Sequence, residues 1–373
     1  MTTCPECRLS APRDARRCPN CQASLLAPVL GEGLAIPGDG LAPAMFEGRR
    51  VVPADDLLAI LREAPEGTEL QLTEGTFLLR DAVTLNRRIV INGAGRERTL
   101  IVGRGAEFTL RATAPGGVTL RNLAVGHEGN VAADAMWVEA GHVELADCRF
   151  RGSRGHGLRL TGDAHGTIRR CEFLDNFRAG LQIGGQASPS VEQCTARGNR
   201  GEGICVRETA RPVLRDNRAV VNYQAGIAFY DGAGGSARDN LCAQNGLSGL
   251  ALFNHAAPEL TGNTLRANNR SGLAYWNQAA GTASENVCED NLQDGIEVHD
   301  GAKPHVLRNV ARRNQGSGVA FSGRAGGMAL QNRCEGNTGH GLAQRDQAAP
   351  TVAGNVFEGN RQGPASPSRL AAL

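Results

Sequence analysis

Four cysteines near the start of the chain are spaced for metal. Cys4-Pro5-Glu6-Cys7 and Cys18-Pro19-Asn20-Cys21 form C-x2-C-x10-C-x2-C. Two such knuckles supply four thiolates for tetrahedral Zn²⁺ and leave no position open, so the metal would be structural. A redox reading would need only one of the pairs. A second concentration of chemistry lies downstream. Tyr230, Phe253, Trp276 and His299 recur every 23 residues in a chain that is only 4% aromatic, and Asp231, Asn254, Asn277 and Asp300 directly follow them. His299-Asp300-Gly301-Ala302-Lys303-Pro304-His305 is the densest polar run. Sugar rings stack on aromatic faces and hydrogen-bond to carboxylates and amides, while exposed aromatic patches also mark protein interfaces. Proton abstraction would use a base such as His299 with Lys303 as the nearby cation. Glycoside hydrolysis would use two carboxylates, for which Asp300 and Glu297 are available.

These residues share a spacing because the chain repeats. A glycine followed by Leu, Ile or Val returns every 23 residues, nine times, from Gly157 to Gly341, and an asparagine keeps step from Asn176 to Asn360. A fixed period in this range marks a solenoid, one coil per repeat. Counting from the glycine, positions 2, 4 and 12 are apolar, position 8 is always Ala and position 10 is Pro or Gly. Alternation at 2 and 4 reads as a short strand with one buried face. Pro or Gly at 10 reads as a bend. No helical period separates the strands. Asparagine at position 20 is expected at a turn, in the left-handed conformation, with its amides stacked as a ladder. Position 15 repeats the device from Asn217 onward, after Cys171 and Cys194. At position 18, Arg266, Glu289, Arg312 and Glu335 alternate in sign, as stacked strands favour. Outward positions 3 and 5 place Ala228, Ala251 and Ala274 as a flat floor beside Tyr230, Phe253 and Trp276.

The rung G-[LIV]-x-[VLIF]…N-x-[AVFC]-x-x-N resembles the right-handed parallel β-helix repeats of the pectin-lyase-like superfamily. The resemblance covers residues 134–363 and reaches back to about residue 50. It implies an all-β fold of 23-residue coils with a capping helix near 54–64, followed by the Gly75-Thr76-Phe77 turn. The superfamily includes polysaccharide lyases, galacturonases, alginate epimerases and non-catalytic binding proteins, in which extended glycans run along one face. The His299–His305 run is similar to the Asp-Pro-His element of alginate epimerases, with Asp300 and Pro304-His305 set four residues apart. The segment through Leu25 resembles the small bacterial zinc ribbon, a module often fused to signalling or interaction domains. The expected layout is a zinc ribbon at 1–25, a Gly-, Pro- and Ala-rich flexible linker at 26–44, the β-helix at 45–363 and a tail at 364–373.

The 373 residues carry a net charge of +2, which implies neither nucleic acid nor a membrane surface as partner. No stretch is apolar enough to span a bilayer, and the opening Met1-Thr2-Thr3-Cys4 is no signal peptide, so the expected compartment is the cytoplasm. Cys148, Cys171 and Cys194 share position 15, and Cys242, Cys288 and Cys334 share position 17. They read as small buried apolar residues, unpaired in a reducing compartment. The expectation is therefore a cytoplasmic binding scaffold. A glycan-like ligand or a protein partner would occupy Tyr230, Phe253, Trp276, His299, Asp231 and Asn277, and the zinc ribbon would dock a further protein. The alternative is a carbohydrate-active enzyme, of polysaccharide lyase or uronate epimerase type, on the same face. Its catalytic candidates are His299, Asp300, Lys303 and Asp231.

Overall fold

Each 23-residue period folds into one coil of three short strands, such as Leu250–Leu252, Glu259–Thr261 and Thr264–Arg266. The computed structural model describes residues 48–366 together with a small antiparallel pair, Thr2–Thr3 with Ser10–Ala11, that brackets Cys4 and Cys7. Cys4, Cys7, Cys18 and Cys21, the linker at 26–44 and residues 367–373 lie outside the described residues. Stacking the coils makes three parallel sheets. The first, from the strands that follow the glycine, has 12 strands; the second has 14 and the third 13. The result is an all-β, right-handed parallel solenoid of about 13 coils.

Register follows the period: Leu250 lies between Ile227 and Leu273. One step is shorter, since Met136 lies opposite Leu158, so the strict period on the first sheet begins at Gly157. Leu250, Leu252, Leu260 and Leu265 point inward and are fully buried. The charges at position 18 stack as expected, with Arg312 Nη2 2.7 Å from Glu289 Oε2.

The bends correct one expectation. The left-handed residues stand at positions 6, 14 and 19, as in Asn254 (φ 59°), Gly262 (φ 66°) and Ala267 (φ 50°), not at the asparagine of position 20. At position 19 the left-handed residue turns the chain just ahead of Asn268, whose side chain enters the coil. It is wholly buried. Its Nδ2 donates to Asn291 Oδ1 (3.0 Å) and to the Cys242 carbonyl (3.1 Å), and its Oδ1 accepts from Asn245 N (3.1 Å) and Nδ2 (3.0 Å). Every polar atom of the side chain is satisfied, as burial requires. The ladder also explains the glycine: a Cβ on Gly249 would sit 2.8 Å from both Asn268 Nδ2 and the Gly272 carbonyl. Position 15 forms a second internal ladder, which Cys194 joins by donating its N–H to Asn217 Oδ1 at 2.9 Å.

The six cysteines at positions 15 and 17 are buried and free, as is Cys205 at position 3. A helix spans Leu57–Glu63. Asp56 caps it by accepting from Ala59 N (3.1 Å), while Leu57 and Leu61 are buried. It packs against the strands Gly75–Leu79 and Val83–Leu85. At the other end Leu342 pairs with Ala365, carrying the first sheet's pairing past residue 363.

Candidate active site

The outer face of the first sheet is a groove. Its floor is position 3, where Ala228, Ala251 and Ala274 are buried beneath neighbouring side chains. One wall is position 5. Strand parity places Tyr230, Phe253, Trp276 and His299 in a single outward column, half-buried rather than fully exposed. Tyr230 stacks on Phe253 with centroids 4.9 Å apart and rings 7° from parallel, and Trp276 stacks on His299 at 4.6 Å and 23°. Tyr230 and Phe253 pack on a small apolar cluster of Ala225, Ala228 and Ala251 that is separate from the coil interior.

The opposite side of the floor is position 23, the residue before each glycine. Sequence reasoning missed this column, because the residue beside a turn glycine carries no hydropathy signal for the way it points. It holds Glu202, Ser248, Ser271 and Asp294. The Tyr230 hydroxyl spans the floor and donates to Glu202 Oε1 at 2.7 Å; burial, reinforced by Glu202, pushes that phenol well above its ordinary range. The Ser271 hydroxyl donates to Glu297 Oε2 at 2.9 Å. Asp294 is 8% exposed and accepts from Ser317 N at 2.5 Å. Burial raises its pKa to about 6 and the charge of Glu297 adds to the rise, while the Ser317 bond and Arg345 oppose it. Asp294 and Glu297 flank Gly295-Ile296, in the coil whose His299 stacks on Trp276. A buried carboxyl whose pKa is raised, beside a second carboxyl, is an acid–base arrangement.

Four coils away the groove opens into a cavity of about 390 Å³, lined by His156, Arg178, Arg200, Glu202, Arg207 and Tyr230. His156 is 9% exposed and its Nδ1 has no hydrogen-bond partner. Burial, with help from Arg178 and Arg159, lowers its pKa to about 3.

The run from His299 to His305 does not converge. The chain bends at Asp300 (φ 59°), Lys303 lies exposed on the connection, and His305 opens the strand His305–Leu307 of the second sheet. His299 Nδ1 lies 2.8 Å from both Asp300 Oδ1 and Asp300 N. Asp300 Oδ2 accepts from Asn277 N at 3.1 Å. The His299 contact leads in holding the Asp300 carboxyl below its ordinary value. Asp231 and Asn277 do the same work as Asp300: Asp231 Oδ2 accepts from Glu208 N (3.2 Å) and Asn277 Oδ1 from Asn254 N (3.2 Å). Position 6 is thus a third ladder, bracing the bend beside the aromatic wall.

Residues 135–286 match the family described as "Right handed beta helix region", and residues 237–364 match "Periplasmic copper-binding protein (NosD)". No curated protein matches the sequence. Among solved structures, the chain is similar to the Azotobacter vinelandii mannuronan C-5 epimerase AlgE4 A-module, at 16% identity and a TM-score of 0.58, covering 83% of this chain and 91% of that one. It is similar to the periplasmic alginate epimerase AlgG at 14% identity and a TM-score of 0.62, covering 82% and 83%. A GH87 α-1,3-glucanase from Streptomyces thermodiastaticus aligns at 14% identity and a TM-score of 0.59, covering 82% and 66%. The protein is a right-handed parallel β-helix of the pectin-lyase-like fold. These matches correct two expectations. The expected non-catalytic scaffold finds no support among the structural neighbours, whose titles name carbohydrate-active enzymes. Cytoplasmic residence gives way as well, since the NosD description and the AlgG title both name the periplasm. Among the described residues no group of three or more His, Cys, Asp or Glu is placed to hold a metal ion, so those residues do not fit a copper.

Proposed function

We propose that the protein is a carbohydrate-active enzyme outside the cytoplasm, in the periplasm or beyond, which holds a polysaccharide along the outer face of the first sheet. The observation that carries this is the pairing of buried Asp294 with Glu297 at the end of the aromatic wall. Sugar rings would lie against Tyr230, Phe253 and Trp276, over a floor of alanines that lets the chain approach closely. Asp294 supplies a proton to the glycosidic oxygen, and Glu297, oriented by Ser271, draws one from the attacking water. The C–O bond breaks as the water oxygen joins the anomeric carbon. His299, Asp231, Asn277 and Asp300 brace and border the groove in this reading, and the helix Leu57–Glu63 closes the N-terminal end of the coil stack against edge pairing.

The test is release of reducing ends from mannuronan and from α-1,3-glucan, with a parallel assay for unsaturated and epimerised products. Asp294→Asn and Glu297→Gln should each lower cleavage at least ~100-fold while the polymer still binds. Unchanged turnover in both variants would place the chemistry elsewhere.

A further inference from the structure

The cavity beside Tyr230 has a chemistry that glycosidic cleavage does not use. Arg178, Arg200 and Arg207 line it with one acid, Glu202, whose Oε1 already accepts the Tyr230 hydroxyl. Arg200 lies over the Phe177 ring at 4.3 Å and Arg207 over the Tyr230 ring at 5.4 Å. A guanidinium held by its face against a ring is fixed in orientation, and its edge N–H groups form the fork that matches an oxyanion. Asp231 Oδ2 lies 3.8 Å from Arg207 Nε, which offsets part of one charge.

His156 completes the site. Its backbone is fixed, with its N–H donating to Asp134 Oδ1 at 2.6 Å and its carbonyl accepting from the Ser153 hydroxyl at 2.6 Å. His156 is one of the residues that line the cavity, and its buried Nδ1 has no hydrogen-bond partner. An unpaired buried nitrogen costs free energy unless a ligand satisfies it. The charged groups that act on the ring are Arg178, Arg159 and Arg207, all opposing its protonation, with a hydrogen bond to the Ala179 backbone favouring it. Asp134 balances Arg159, whose Nη1 lies 3.9 Å from its Oδ2, and His127 acts on Asp134 in turn. Burial is the largest influence that keeps the ring neutral, and an anion among the arginines offsets the part that they add.

We infer that this cavity is a subsite for an oxyanion carried by the ligand, a carboxylate, a sulfate ester or a phosphate ester, and that filling it draws one proton onto His156. The protonated Nδ1 donates to the anion, and the proton comes from solvent. The inference rests on the groove reading in one respect only, that the anion is a substituent of a sugar lying along the aromatic wall.

Calorimetry on the full chain at pH 5, in two buffers of different ionisation heat, counts the protons taken up. The probes are inorganic sulfate, inorganic phosphate, a mannuronate tetrasaccharide and neutral maltotetraose. The three anions should bind with net proton uptake, and the neutral sugar at least tenfold more weakly than the mannuronate. Among the anions, the tightest identifies the substituent. His156→Gln, which keeps a neutral polar side chain in place, should abolish the uptake, and Arg178→Gln should weaken each anion about tenfold, the step of one lost charge-assisted contact. Equal binding of maltotetraose and mannuronate, or anion binding whose proton count His156→Gln leaves unchanged, would overturn the subsite. Trp276→Ala separates the two readings. If sulfate binds with uptake while mannuronate affinity ignores Trp276, the subsite stands and the groove reading falls.

Discussion

The Ser271 hydroxyl donates to Glu297 Oε2 at 2.9 Å and joins two adjacent coils across the groove floor. Ser271 is wholly buried, so the bond fixes the carboxylate from below. Removing an orienting bond leaves the chemical group in place and relaxes its aim. Ser271→Ala should therefore lower kcat roughly tenfold with KM little changed. Combined with Glu297→Gln it should add nothing further. Independent, multiplicative losses in steady-state kinetics would show that Ser271 acts on something else.

Stability should respond to acid through two opposed groups. Asp294 titrates near 6 when folded, above the 3.8 of a free aspartate, so its contribution is fully present below about 4 and is lost as pH rises through 6. His156 titrates near 3 when folded, below 6.5, so it favours the folded state at neutral pH and that contribution is lost as pH falls from 6.5 toward 3. Between pH 6.5 and 4 the two partly cancel. Asp294→Asn removes the compensation, so the variant should lose on the order of 3 kcal/mol more than the parent over that interval, at ~1.4 kcal/mol for each of about two pH units between the free and folded pKa. His156→Gln should flatten the acid loss. Urea titrations at the two pH values, with parallel slopes for parent and Asp294→Asn, would count against the burial of Asp294.

Asn268→Ala removes four side-chain hydrogen bonds at once, those with Asn245 N, Asn245 Nδ2, Asn291 Oδ1 and the Cys242 carbonyl, and Asn291 Oδ1 keeps only the Asn268 backbone N–H. Each buried group left unpaired carries a penalty, and the net loss should be on the order of 1–3 kcal/mol in the unfolding free energy. In a solenoid each coil is stabilised mainly by its neighbours, so hydrogen exchange should quicken first in the coils around residues 245 and 291. Uniform acceleration along the whole chain would contradict a local ladder.

Trp276→Ala acts outside the coil interior. Its ring stacks on His299 and lies half-buried in the wall. Polysaccharide binding should weaken tenfold or more, about 1.4 kcal/mol, as for an aromatic anchor, while the denaturation midpoint shifts little. A large fall in the midpoint with intact binding would reduce the wall to a structural stack.

For the N-terminal motif we propose one structural Zn²⁺ on Cys4, Cys7, Cys18 and Cys21. Mass spectrometry of the full chain under native conditions should find about one zinc per chain, and Cys4→Ser with Cys7→Ser should remove it. The circular dichroism of the coils should persist, because the strands of the coil stack begin at Arg49, beyond the four cysteines in sequence. A zinc-free parent chain would end this proposal.

Much of this molecule is legible in one dimension because a solenoid is nearly one-dimensional. The 23-residue return of Gly249, Ala256, Pro258 and Asn268 specifies a coil, and stacking identical coils decides which residues become neighbours. Period 2 at Leu250 and Leu252 decides which side chains enter the core, and hence that Phe253 and Trp276 share an outer column. The sequence could also say that the asparagines form ladders, since only mutual hydrogen bonding explains a buried amide in every coil.

What it could not say is where each bend turns. Left-handed φ falls one residue before Asn268, on Ala267, and on Val221 in another coil, neither a residue type that advertises it. That offset decides that position 23 faces the groove, and with it the burial of Asp294 beside Glu297. The same geometry separates His299 from His305, six residues apart in sequence and on different sides of the coil. Spacing orders residues along the axis. Only the closed cross-section decides which of them meet around it, because desolvation and charge act through space and not along the chain.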